Sequence, residues 1–136
     1  MANTIVVRMA QVSPTTTEGM IRDHKVVVDR TLAKEGTDLG PMGGELLLAA
    51  VGGCFMSTLL AAVRGRDAAV TEIVTTVTGT MGSNPSRFTA IDLSVAGVYA
   101  DREMMEKLIV IAERGCLVAN SIKDGLALSV GLASLG

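Results

Sequence analysis

The chain has no tryptophan, one tyrosine and two phenylalanines in 136 residues. Stacking platforms for bases are therefore nearly absent. With 12 Lys plus Arg against 14 Asp plus Glu, there is also no excess positive potential to gather phosphates. Both shortages argue against a nucleic-acid partner. Histidine occurs once, as His24, and cysteine twice, as Cys54 and Cys116. These three residues lack a CxxC spacing and fall short of four metal ligands, so no metal centre is expected. Ser/His/Asp catalysis would rest on the same His24, set between Asp23 and Lys25 on a predicted exposed strand. The N-terminal "MANTIVVRMAQV" lacks a basic stretch followed by a continuous apolar run, because Arg8 interrupts it. No export signal is expected, and the predicted location is cytoplasmic. Cellular thiols reduce structural cystines there, so a pair of cysteines points towards redox chemistry.

What the chain does have is apolar bulk. Residues of the AVILMFWYC set make up 49% and aromatics only 2%, so the core must be built from Leu, Val, Ile, Ala and eight Met. The length predicts one domain spanning 1–136. "TIVVRMAQV" and "HKVVVDR" have β-branched strand content, with "SPTTTEGM" between them as loop, and together they predict an N-terminal hairpin. "TLAKEGTDLGPMGGE" is a Gly-rich connector carrying Pro41.

Further on, Ile73, Thr75, Val77, Gly79 and Met81 alternate along one arm, and Ile91, Leu93, Val95 and Tyr99 do so along a second. With "GSNPSR" as the reversal, these arms predict a long antiparallel hairpin with one buried face. In "DREMMEKLIVIAERG", Asp101 is a candidate cap, Met104, Leu108 and Ile111 follow helical spacing, and Gly115 suits a left-handed C′ position. A short helix over "CLVANSIKDG" and a final strand over "LALSVGLASL", with Leu126, Leu128, Val130 and Leu132 on one face, complete an α+β order. No internal repeat is evident.

The run from Leu46 to Val63 carries no charge. At 1.5 Å per residue it would extend about 27 Å, nearly a hydrocarbon core. Against a membrane span stand the absence of Trp or Tyr at its ends and the dilution of its hydrophobicity by Ser57, Thr58, Ala and Gly. A helix apolar on every side is also what the centre of a soluble core requires. Gly52 and Gly53 each cost about 1 kcal/mol relative to Ala in a helix interior, so a close backbone approach must compensate. Two partners remain open: a second copy of this helix in a homodimer, or the helix predicted over residues 102–115.

Taken residue by residue, Cys54 lies in an apolar helix, where burial raises a thiol's pKa and leaves it inert. Cys116 opens a helix, where free N–H groups favour a thiolate.

Together these segments carry a resemblance. "GPMGGELLLAAVGGCFMSTLL" is similar to the first cysteine motif of the OsmC/Ohr family of osmotically inducible and organic hydroperoxide resistance proteins, and "AERGCLVANSIKDGLALSV" resembles its second. "VVVDR" fits the strand that leads into the helix. The resemblance covers nearly the whole chain in element order. It implies an intertwined α+β homodimer, with antiparallel sheets wrapped around long central helices. It also implies a thiol peroxidase for organic hydroperoxides in which Cys54 is the peroxidatic and Cys116 the resolving residue. A dithiol reductant, of lipoyl type for example, would recycle the Cys54–Cys116 disulfide, and no cofactor is needed because sulfur carries the electrons.

The chain departs from the family pattern at three places. The hydroperoxide-resistance branch has a Glu where this chain has Gly44, and an Arg in the first hairpin loop that "QVSPTTTEG" lacks. Arg22, oriented by Glu45, is the substitute candidate, with Arg8 as a further one, because a buried thiolate needs compensation for lost solvation. Leu117 stands where the family often has Pro. The alternative functions are a binding protein for a small hydrophobic ligand with unreactive cysteines, and a protein whose two thiols are purely structural.

Overall fold

The computed structural model describes residues 3–133 and comprises two compact units, Met1–Ala49 and Ala50–Gly136. In the first, β1 (Arg8–Gln11), β2 (Thr17–Ile21) and β3 (His24–Val28) form an antiparallel sheet in that order. The predicted hairpin is thus a three-stranded meander, and half of "SPTTTEGM" is its central strand. The loop is shorter than its composition suggests because Ser13 closes it. Ser13 Oγ accepts from the amides of Thr15 at 3.2 Å and Thr16 at 2.9 Å, while Thr16 O accepts from Val12 N at 2.9 Å. A turn completed so early leaves Thr17–Ile21 free to pair on both edges, with Gly19 opposite Met9 and Val26.

Asp29 follows β3 and is 3% exposed. Its carboxylate accepts from Thr16 Oγ1 at 2.9 Å, from Arg30 N at 2.7 Å, from Leu39 N at 3.2 Å and from the Thr37 hydroxyl. These donors, with Asp29 N bonded to Pro41 O at 3.1 Å, gather the connector that leads to the long helix.

That helix, α1 (Gly43–Gly65), starts in the first unit and continues into the second, where it is followed by β4 (Val70–Gly82), β5 (Arg87–Tyr99), α2 (Arg102–Gly115) and α3 (Leu117–Asp124). Through its middle the β4–β5 hairpin has the predicted inward parity, with Thr75 opposite Val95, Val77 opposite Leu93 and Gly79 opposite Ile91, but Tyr99, expected on the same face, is exposed. Met81 leaves the inward face because the register shifts between Thr80 and Met81. Asp101 caps α2 by accepting from Met104 N at 3.1 Å. The core of this unit joins Phe55, Leu59 and Ala62 of α1 to Leu108 and Ala112 of α2 and to Cys116.

Two expectations for this unit need correction. Gly115 stays helical, and the glycine at positive φ is Gly125, at φ 70° and ψ 170° after α3. What Gly115 supplies is room, since a Cβ there would lie 3.0 Å from the Thr58 methyl of α1. The final strand is also absent. Residues 125–133 take no regular structure, and Leu128, Val130 and Leu132 are 86%, 95% and 102% exposed. Ser134 and Leu135 of that predicted strand lie outside the described residues. Alternation specifies a strand with one buried face, but a strand needs an edge to pair with, and none in this unit meets this one.

The helix α1 buries Val51, Gly52, Phe55, Leu59 and Ala62, whereas Leu47, Ala50, Gly53, Ser57 and Leu60 are exposed. By length and composition it could cross a membrane, and 28% of its most apolar window is buried. The paired glycines divide between the two faces. A Cβ on Gly52 would sit 2.8 Å from Val77 Cγ2, so its close neighbour within the chain is β4 and not α2, while one on Gly53 would meet nothing within 4 Å.

Candidate active site

Cys54 lies mid-way along α1, half-buried, and Cys116 is wholly buried at the α2–α3 junction; both are free thiols. The junction exists because Cys116, at φ −81° and ψ 111°, is extended between two helices. It serves as N-cap of α3: its Sγ accepts from Ala119 N at 3.4 Å and its carbonyl from Asn120 N at 3.0 Å. The first amides of a helix have no acceptor inside it. With Ala119 and Asn120 satisfied, those of Leu117 and Val118 remain, and both act on the Cys54 sulfur, as does the Cys116 thiol facing it.

The electrostatics follow from this placement. The Val118 amide pulls the Cys54 thiol below its ordinary pKa, against the cost of burial, with help from the Cys116 thiol and the Leu117 amide. Burial pushes Cys116 up. The Ala119 amide opposes that rise, and hydrogen bonding to Cys54 and its charge reinforce it. The ranking expected from each cysteine alone is therefore reversed. The start of α3 does favour a thiolate, but on the sulfur that α1 holds in front of it, and the cysteine at the cap itself is the reserved one.

Glu45 and Arg22 belong to the N-terminal unit. Glu45 occupies the third position of α1, and its Oε1 accepts from Met42 N at 2.9 Å, one half of a capping box. Arg22 sits exposed in the two-residue turn between β2 and β3, at φ 55° in the left-handed region. Sequence reasoning missed the amides of Leu117 and Val118, which no side-chain motif announces. The signal available was the helix start immediately after Cys116. Among the described residues no group of three or more His, Cys, Asp or Glu is arranged to hold a metal.

In the same unit, a cavity of about 260 Å³ is lined by Val51 and Phe55 of α1, Ile91, Leu93 and Val95 of β5, and Ile122 of α3, with neither cysteine in its wall. The ion pair between Glu113 and Lys123 stands at its edge. Its apolar walls are aliphatic except for Phe55, and no methionine contributes. Met56 instead accepts a bond from Thr75 Oγ1 at 3.0 Å, and Met81 is exposed.

The family model of OsmC-like proteins matches residues 36–131, so this chain belongs to the OsmC-like family. No curated protein matches it. Among solved structures it is similar to an OsmC-like protein from Mycoplasma pneumoniae, with 15% identity, a TM-score of 0.78, and 90% of this chain and 89% of that chain covered. It is also similar to an organic hydroperoxide resistance protein from Elizabethkingia anophelis, with 16% identity, a TM-score of 0.71 and 90% of each chain covered. A third is an organic hydroperoxide resistance protein OsmC from Legionella pneumophila, with 16% identity, a TM-score of 0.64, and 90% of this chain and 91% of that chain covered. These likenesses establish the OsmC-like α+β fold with its antiparallel sheets.

Proposed function

We propose that this chain is a cysteine peroxidase for organic hydroperoxides, acting through Cys54 and Cys116 as a homodimer. The observation that carries the reading is the facing pair of thiols, with amide donors lowering Cys54 while Cys116 stays protonated. The Cys54 thiolate attacks the distal peroxide oxygen. The S–O bond forms as the O–O bond breaks, and the alkoxide leaves and takes up a proton to become the alcohol. Cys54 is then a sulfenic acid. The Cys116 thiol displaces water from it to form the Cys54–Cys116 disulfide, and a dithiol restores both thiols by exchange, becoming a disulfide itself. The apolar cavity walled by Phe55, the residue that follows Cys54, suits the organic part of the substrate.

The test is peroxide consumption with a dithiol such as dihydrolipoamide, joined to a thiol count. Wild type should lose both thiols after one equivalent of cumene hydroperoxide. Cys54→Ser should consume none, and Cys116→Ser should complete one turnover and stall as the sulfenic acid. Burying two or three CH2 groups at up to about 0.8 kcal/mol each makes kcat/KM for cumene hydroperoxide at least about tenfold above that for H2O2. Thiols that survive the organic peroxide would refute the reading and favour a binder of small hydrophobic ligands. In the same assay Arg22→Gly tests the candidate cation, because glycine keeps the left-handed turn and removes only the side chain.

A further inference from the structure

The wall of the apolar cavity changes character along its two helical sides. On α2, Ile109 is followed one turn later by Glu113, and on α3, Ala119 is followed one turn later by Ile122 and Lys123. Two side-chain bonds hold α3 to α2: Asn120 Nδ2 donates to Arg114 O at 3.0 Å, and Lys123 Nζ donates to Glu113 Oε2. The apolar sides therefore end together at a charged rim, where the half-exposed ammonium of Lys123 and the half-exposed carboxylate of Glu113 form an ion pair. Asp92 also borders the cavity, but it is exposed between the half-buried Ile91 and Leu93, so alternation turns its side chain to the outer face of β5. Among the described residues of the wall, Lys123 is the one cation, and Glu113 already occupies it.

Size and lining bound the occupant. A cavity of about 260 Å³ falls below the roughly 300–1,000 Å³ of sites that take drug-sized ligands, so it suits a compact organic group. A carboxylate carried on that group would lose its hydration against apolar walls and would meet a cation that is already paired.

We infer that Glu113 is a specificity-determining residue: by pairing with Lys123 at the rim, it restricts the cavity to compact hydroperoxides with a neutral organic part and turns away those that bear an acid. The inference rests on the proposed peroxidase reading and on the cavity receiving the organic part of the substrate. A half-exposed ion pair contributes little to stability, so its removal should leave the fold intact and be read in selectivity.

The test compares cumene hydroperoxide with its para-carboxylate, which keeps the reacting group and adds one charge, in the dithiol assay on the full chain. Wild type should prefer the neutral substrate by at least about tenfold in kcat/KM. Glu113→Gln frees Lys123 to meet the carboxylate, and the preference should fall by about threefold or more. Glu113→Gln combined with Lys123→Gln removes the freed cation and should restore the wild-type preference. Equal kcat/KM for the two substrates in wild type overturns the inference, as does an unchanged preference in Glu113→Gln. A gain for the acid that persists in the double variant also overturns it, because Glu113 would then act by its own charge and not through Lys123. Ligand-observed NMR titration with cumyl alcohol and its para-carboxylate reads the same ratios as affinities, without turnover. Those ratios in a protein that consumes no peroxide refute the peroxidase alone, whereas turnover without them refutes the role of Glu113.

Discussion

Asp29 is the residue on which the N-terminal unit converges. The Thr37 hydroxyl draws its pKa below the ordinary carboxylate range. Burial opposes this, and the Leu39 amide, the Thr16 hydroxyl and the Arg30 amide reinforce it. A carboxyl whose folded value is depressed contributes stability that is fully present above its unfolded value, about 3.9, and is lost as pH falls through the folded value. Asp29→Asn should therefore lower the thermal midpoint at pH 7 by roughly 5 °C or more. The gap to wild type should narrow progressively once the pH is taken below about 4. A gap of constant size across that range in calorimetry would show that the carboxylate's charge is not what holds the connector. Nothing in "VVVDR" announces this role, because an aspartate after a strand reads as a surface residue until Thr16 and Thr37 are brought to it. Cys54 shows the same limit in its electrostatics. Its position on a helix was legible, but the donors that lower it come from a helix more than sixty residues later in the chain.

Among the elements, α1 separates what pattern reveals from what packing decides. Its existence, the β4–β5 hairpin and the Asp101 cap of α2 follow from uncharged length, alternation and residue type, and all were legible. The β1–β2 turn was not, because the Ser13 contacts that shorten it depend on geometry beyond composition. Which glycine of "VGGC" is obliged to be glycine was also hidden, since both have the same helix cost and only contact distances distinguish them. Gly52→Ala brings a Cβ to 2.8 Å from Val77 Cγ2. Overpacking there costs about 1–3 kcal/mol, against a helix-propensity gain of about 1 kcal/mol, so the net should be destabilising by about 1 kcal/mol. Gly53→Ala, facing open space within the chain, keeps the propensity gain and should leave stability unchanged or raise it by up to about 1 kcal/mol. Urea unfolding of the two variants side by side decides the matter, and equal effects would mean that β4 does not press on α1 as closely as the distance states.

For the whole molecule, the question is what covers the apolar surface that the single chain leaves in water. The outward face of α1 presents Leu47, Ala50, Gly53 and Leu60, and the segment after α3 presents Leu126, Leu128, Val130 and Leu132 with strand alternation but no strand to pair with. Surface of this kind, in one case a helix face with a glycine at its centre and in the other an unsatisfied strand, marks an interaction site more often than a free exterior. A second copy of the chain meets both needs, since small residues allow helix faces to approach closely and a partner's sheet edge gives the segment its missing hydrogen bonds. Sedimentation at micromolar concentration should therefore show a dimer with no folded monomer. Gly53→Leu should weaken that dimer at least about tenfold by holding the helix faces apart, and a chain ending at Gly125 should lose it. A wild-type protein that sediments as a stable monomer would refute the homodimer, and recovery with membranes would assign the outward face of α1 to lipid instead. Dimerisation unaffected in Gly53→Leu but lost on truncation would leave the C-terminal segment as the interface and remove α1 from it.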